Sequence, residues 1–288
     1  MDDAAIGLST LKLRTTPAHR DGVFQQIIVP LDGTTHTEVA IHPAVVLASQ
    51  AHAGLLLMSV AETEDVTSRR EYLNGWQRAS FMPCEWDMTI GGPVAPHIIA
   101  TARKFAPSLV CMASHGRGTL GQAVFGSVST EVIHEIGAPV LAVGPHCVEV
   151  PNYSEVVVAV DDSKESAAVL PAAVELANHI DAKLQIVQVI NLTDLRHARN
   201  AGISPSDLRE TGHVAKLAAQ LARQGVIAGW EVLHDQSAAH GIVEYLHEKP
   251  TAIVAMATHA RSGFGLLAHH GVATHVVHRS ANPVLLLH

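Results

Sequence analysis

Short runs of continuous apolar residues recur along the chain, and the stretches between them carry apolar residues at helical rather than alternating spacing. In the first half the runs Gln26 to Leu31, Leu55 to Val60, Glu85 to Ile90, Leu109 to Ala113 and Val140 to Val143 read as strands. Helical patterns fall near Thr37 to His52, Val94 to Phe105 and Val128 to Ile136. Thr34 or Thr35 is the expected N-cap of the first helix, Pro43 an expected kink in it, and Gly91-Gly92-Pro93 an expected turn. Strands that are apolar on both faces and alternate with helices predict a parallel, doubly wound α/β sheet covered on both sides.

The pattern is written twice. Gln26-Ile27-Ile28-Val29-Pro30-Leu31-Asp32-Gly33-Thr34 returns 129 positions later as Glu155-Val156-Val157-Val158-Ala159-Val160-Asp161-Asp162-Ser163, and Val60 and Val189 share that offset. Past this point the offset is 144: Ala113 matches Ala257, and Pro139-Val140-Leu141 matches Pro283-Val284-Leu285. The roughly 15 extra residues of the second copy fall in the region matching Val60 to Cys84. There, Pro205 to Gly225 carries Leu208, Val214, Leu217, Ala218 and Leu221 near helical spacing, whereas Asp65 to Ser80 is short and interrupted by Asn74-Gly75. A second helix shortened by several turns is therefore expected in the first copy. Residues 23–146 and 154–288 are read as the two domains, 147–153 as a linker and 1–22 as an N-terminal arm outside the repeat.

Composition narrows the class. At 48% hydrophobic and 16% charged residues, the 288-residue chain has the balance of a folded protein with a large core. Its net charge of −8 gives no electrostatic reason to bind nucleic acid or an anionic membrane, although 20 histidines would gain charge below about pH 6.5. Apolar runs such as Gly54 to Ala61 fall far short of the roughly 18 residues that span a bilayer. Met1-Asp2-Asp3 opens no secretory signal, so a cytoplasmic location is expected. Cys84, Cys111 and Cys147 form no C-x-x-C motif or pairing framework.

The stretch with the most chemistry is Ala113 to Ser129, ASHGRGTLGQAVFGSVS. Gly116, Gly118, Gly121 and Gly126 permit positive φ, and Ser127 and Ser129 stand where a helix N-terminus would turn unpaired N–H groups and its positive dipole end toward an anion. Gly116 to Gly121 satisfies G-x-G-x-x-G, but it follows the fourth strand of its half instead of the first, and no acid ends a following strand as dinucleotide binding requires. Gly121 to Ser127 approaches a P-loop without its lysine.

A third template fits the whole stretch. Ala113-x2-Gly116-x9-Gly126-Ser127 resembles the G-x2-G-x9-G-(S/T) nucleotide loop of the universal stress protein family, with Ala113 in place of the first glycine. The resemblance extends over nearly all of the chain after Phe24. It implies two tandem domains, each a five-stranded, mostly parallel sheet of the adenine-nucleotide α-hydrolase-like kind, with an ATP site, with or without Mg2+, in the first. By motif it implies contacts from Pro30, Leu31 and Asp32 after strand one and from Val60 after strand two. The loop would add Met112, Ala113, His115, Gly116, Gly126, Ser127, Val128 and Ser129, with Arg117 as a nearby cation. Read without the resemblance, Asp32 is equally a cap on the helix after the strand. If the position of Ala113 needs φ > 0, the alanine is strained; if not, its methyl approaches the ligand.

In the second copy Ala260 and His270 replace Gly116 and Gly126, so little or no nucleotide binding is expected there. The resemblance further implies that the last strands pair across a dimer-like interface, supplied within this chain, and that two chains associate. His269, His270, His275 and His278 crowd one region, but no carboxylate or cysteine joins them at a ligand spacing. No G-x-S-x-G elbow or other paired nucleophile and base occurs. The expected function is a ligand-linked stress-response module that binds an adenine nucleotide and an unidentified protein partner. The alternatives are a nucleotide-free interaction scaffold and a slow ATPase.

Overall fold

A computed structural model describes residues 24–80, 82–114, 125–191, 212–258 and 271–287. The first half contributes β1 (Gln26–Pro30), β2 (Gly54–Ala61), β3 (Glu85–Ile90), β4 (Ser108–Ala113) and β5 (Val140–Val143). The second contributes β6 (Glu155–Val160), β7 (Lys183–Asn191), β8 (Ala228–Asp235), β9 (Ala252–Ala257) and β10 (Val284–Leu287). All ten form one sheet in the order β3-β2-β1-β4-β5-β10-β9-β6-β7-β8. Each half is the expected parallel five-stranded unit, and the two halves meet where β5 and β10 pair antiparallel, Leu141 opposite Leu285.

The helices follow from the pattern. In the first half they are α1 (Thr35–Glu38), α2 (Ile41–Ala51), α3 (Val66–Ala79), α4 (Val94–Lys104) and α5 (Ser127–Glu135). In the second they are α6 (Lys164–Ala167), α7 (Leu170–His179), α8 (Gly212–Arg223), α9 (Ala238–His247) and α10 (Val272–Arg279). The first expected helix breaks at Val39-Ala40 and restarts so that Pro43 falls in the first turn of α2, where no N–H is needed.

Because every inner strand is apolar on both sides, the sheet separates two cores that each run through both halves. On one face Ile27, Val29, Leu57 and Leu141 pack with α2, α7 and α8. On the other, Ile28, Leu56, Val110 and Val140 pack with α4, α5, α9 and α10. The segment between the halves is tied down: Gln50 of α2 exchanges two hydrogen bonds with the backbone of Tyr153, at 2.9 and 2.6 Å, and the Tyr153 ring is buried. Gly144, just past β5, lets α10 come so close that a Cβ there would stand 1.8 Å from the carbonyl oxygen of Val277.

One expectation is corrected in part: α3 runs unbroken through Asn74-Gly75 for 14 residues, so the interruption expected there does not occur. Residues 192–211, in the stretch assigned the second copy's extra length, lie outside the described residues. What differs is how the helices pack. α8 buries Val214, Leu217, Ala218 and Leu221, whereas α3 buries only Leu73.

Candidate functional site

β1 has β2 on one side and β4 on the other, so chain order reverses at β1 and β4. Crevices of this kind open at strand carboxyl ends. The described sequence-predicted residues converge there: Pro30, Leu31 and Asp32 at the end of β1, Val60 near the end of β2, Met112 and Ala113 at the end of β4. His115, Gly116 and Arg117 lie outside the described residues.

Leu31 extends the ladder by donating its N–H to Met58 O at 2.8 Å, and Ser59 Oγ donates to Leu31 O at 2.7 Å. Asp32 then closes the turn into α1. Its Oδ1 accepts from Thr34 N at 2.9 Å, Thr34 Oγ1 at 2.5 Å and Thr37 Oγ1 at 2.8 Å. Thr34 is the N-cap by position, but its hydroxyl turns back to Asp32 instead of capping α1. Three donors saturate this oxygen.

Across β1, Ala113 is the last residue of β4 and is not among the left-handed residues, so the strained alternative for this alanine falls away. The feet of the glycine-rich loop are stitched together: Ser114 N donates to Val143 O at 2.9 Å, Gly126 N to Ser114 O at 3.0 Å and Ser129 Oγ to Ala113 O at 3.2 Å. Gly126 is the N-cap of α5 with φ −62°, ψ 161°, so it does not supply the positive φ expected of it. Its contribution is the missing side chain, which leaves the first turn of α5 without a side-chain cap from that position. Ser127 is exposed at this turn, Val128 half-buried and Ser129 buried. The Met112 side chain packs into the core under α4 and α5, leaving its backbone to face the edge.

Arg69 of α3 is a residue that the sequence reading missed. Gly33 has φ +77°, and a Cβ on it would stand 2.8 Å from Arg69 Nη1. The guanidinium thus lies against the backbone beside Asp32. Nη1 donates to Ser59 Oγ at 3.4 Å, and among the described residues Arg69 forms no ion pair. A signal for it was present in the repeat: Gly33 and Ser59 stand where the second copy has Asp162 and Gln188, which bond to each other at 3.0 Å.

The model of the family described as "Universal stress protein family" matches residues 87–144 and 152–288, more than half of the chain. The chain belongs to the universal stress protein family. The match begins after Asp32 and Val60, whose place in the site rests on the repeat and on the geometry. A universal stress protein from Archaeoglobus fulgidus DSM 4304 superposes with a TM-score of 0.68 over 91% of this chain and 98% of that one, at 16% identity. A functionally unknown protein from Pseudomonas aeruginosa PAO1 gives 0.61 over 92% of each chain at 15% identity. A putative universal stress protein from Pseudomonas aeruginosa UCBPP-PA14 gives 0.59 over 92% and 93% at 16%. These likenesses are likenesses of fold. Comparison with curated proteins gives no match.

In the second universal stress protein unit the turn after β6 repeats the first. Asp161 Oδ1 accepts from Ser163 N at 2.8 Å and Ser163 Oγ at 2.5 Å, and Ser166 Oγ accepts from Asp161 N at 3.0 Å. Thr258 N donates to Leu287 O as Ser114 N does to Val143 O. α10 starts behind another glycine, Gly271, which the repeat aligns with Ser127 and not with Gly126. Ala260, His269 and His270 lie outside the described residues. His275 Nδ1 lies 3.3 Å from Gly271 O, and the His278 ring is 6.4 Å from that of His146. Among the described residues no three metal-ligating side chains gather, and no helix is long and apolar enough to cross a membrane.

Proposed function

We propose that the first half of this universal stress protein binds one adenine nucleotide, of the ATP type, at the carboxyl edge of β1, β2 and β4. The observation that carries the reading is the start of α5: a helix N-terminus behind a glycine cap, held at the switch point by the stitched feet of a glycine-rich loop. Its first N–H groups and the positive end of its dipole suit a phosphate. The base and ribose would lie over the ends of β1 and β2, against the backbone of Leu31 to Gly33 and the guanidinium of Arg69. Asp32 Oδ1 is saturated by Thr34 and Thr37, so on this side the contact falls to the backbone and to the second carboxylate oxygen. Ser127, whose residue is exposed, supplies the hydroxyl at the phosphates, because Ser129 Oγ is directed to Ala113 O. Mg2+, when it accompanies the nucleotide, would be held by phosphate oxygens and water.

The ligand acts by being held. Binding to the folded state alone stabilises that state by about 2.7 kcal/mol at a hundredfold excess over Kd, and this linkage can bias a surface read by another protein. A cytoplasmic setting and association of two chains complete the proposal. Calorimetric titration of ATP into the intact protein tests it: about one site per chain is expected, abolished by Gly126→Asp, which puts a carboxylate among the donors. Product released beyond one equivalent and lost in Asp32→Ala would add hydrolysis.

One observation favours a second reading. The saturated Asp32 oxygen and the guanidinium lying on Gly33 already occupy part of this edge, as in a nucleotide-free interaction scaffold. Folded protein that takes up no ATP, yet gains binding in Arg69→Ala, would decide for it.

A further inference from the structure

We propose that the first half carries a second ligand site, on the sheet face beneath α3, for a small apolar cation such as an aryl-alkyl ammonium. A half-enclosed cavity of about 280 Å3 lies there between α2, α3 and β2. Its walls include Val45, Leu55, Leu57 and Trp76, and two acidic residues, the half-buried Glu38 and the exposed Glu149, complete the lining. An apolar cavity of about 150 Å3 is enough to hold a benzene ring, and pockets for small molecules combine such walls with a few polar groups that fix orientation.

The cavity follows from the packing difference between the copies. α8 closes the corresponding face of the second half with four buried apolar side chains, but α3 sends only Leu73 fully into the core and leaves Trp76 half-buried. The sheet side is otherwise equivalent: Val45, Leu55 and Leu57 correspond to Val174, Leu184 and Ile186. The lining is not. Glu38 stands where the second copy buries Ala167, and His42 where it has Pro171. Charge has therefore been placed beside an apolar space in one copy only. Among the described residues neither Glu38 nor Glu149 forms an ion pair; Glu38 interacts with the neutral Tyr72 hydroxyl, which leaves its charge in place, so a cation entering the cavity meets two carboxylates. A low-dielectric wall strengthens that attraction.

The test uses the full chain and three probes of similar size: phenethylammonium, 3-phenylpropan-1-ol and 3-phenylpropanoate. Saturation-transfer NMR and the fluorescence of Trp76 follow binding. Phenethylammonium is expected to bind saturably and about tenfold more tightly than the alcohol, with the carboxylate weakest, whether or not ATP is present. Glu38→Gln should reduce the preference to under threefold and leave binding of the alcohol unchanged. Val45→Trp, which fills the cavity, should abolish binding of all three, and Ala79→Trp at the exposed rim provides the same block without touching the core. No saturable binding, equal binding of the three probes, or binding that survives both tryptophan variants would overturn the proposal.

Discussion

Gly33 and Asp162 occupy the same place in the two copies, and the exchange rearranges what surrounds them. With a side chain at this position, Asp162 takes a hydrogen bond from Gln188 and the edge of the sheet is closed by a neutral-to-acid contact. Without one, Arg69 reaches in from α3. Gly33→Ala should be doubly unfavourable, since it forces alanine to φ +77° and drives its Cβ against the guanidinium. A loss of about 1–2 kcal/mol in urea unfolding is expected, partly recovered when Arg69 is also shortened. Side-chain chemistry elsewhere follows burial. The Cys147 thiol is pushed up to about 12 by burial alone, so native protein at pH 8 should react with iodoacetamide at least tenfold more slowly than unfolded chain.

At the end of β8, Asp235 is held below the usual carboxylate range, first by the Ser237 N–H and then by His240, and His240 is raised by its hydrogen bond to Asp235 at 2.8 Å. The histidine's contribution is complete below the ordinary imidazole pKa and is lost as pH rises through the raised one. The aspartate's is complete above the ordinary carboxylate pKa and is lost as pH falls through the depressed one. An NMR titration should therefore show the His240 midpoint falling in Asp235→Asn.

At the scale of elements, α3 shows where sequence pattern misleads. Asn74-Gly75 reads as a break, yet the helix passes through it because neighbouring turns carry the hydrogen bonds and Trp86 Nε1 donates to Asn74 Oδ1 at 3.0 Å. Nothing lies within 4 Å of a Cβ placed on Gly75, so Gly75→Ala should stabilise the protein by about 0.5–1 kcal/mol in thermal or urea unfolding. Leu73→Ala, at the one fully buried position of the helix, should cost about 3 kcal/mol. The strands of the first half were legible almost to the residue: β1, β2, β4 and β5 because burial on both faces leaves a continuous apolar signature, and β3 although its side chains are at most half-buried. The crevice was legible because Asp32, Val60 and the loop all terminate strands. Arg69 was legible only by comparing the copies, since a cation on an amphipathic helix looks like any solvated one until Gly33 and Ser59 are set against Asp162 and Gln188. Nor was the conformation of Gly126, because an absent side chain serves both for a left-handed turn and for an uncapped helix start.

The whole molecule is held at β5 and β10. Each is short and buried, and each would be a bare edge without the other. Halves expressed separately as residues 24–150 and 151–288 should each self-associate through that edge, giving homodimers in light scattering. Gly144→Ala strikes the same joint from the side by pushing on the backbone of α10, and should cost about 3 kcal/mol while leaving the loop feet of the first half in place. Because the strands at the joint run in opposite directions, the carboxyl edges of the two halves face opposite ways, and no single nucleotide can touch both Asp32 and Asp161.

Joining the halves in one chain has a consequence for what each can become. Two identical subunits paired through the same strands must accept every substitution twice, once on each side of the axis. Here a change in one half leaves the other untouched. A guanidinium on one sheet edge, an acid-lined hollow under one helix and a rebuilt loop in the other half are the asymmetries such a chain is free to keep.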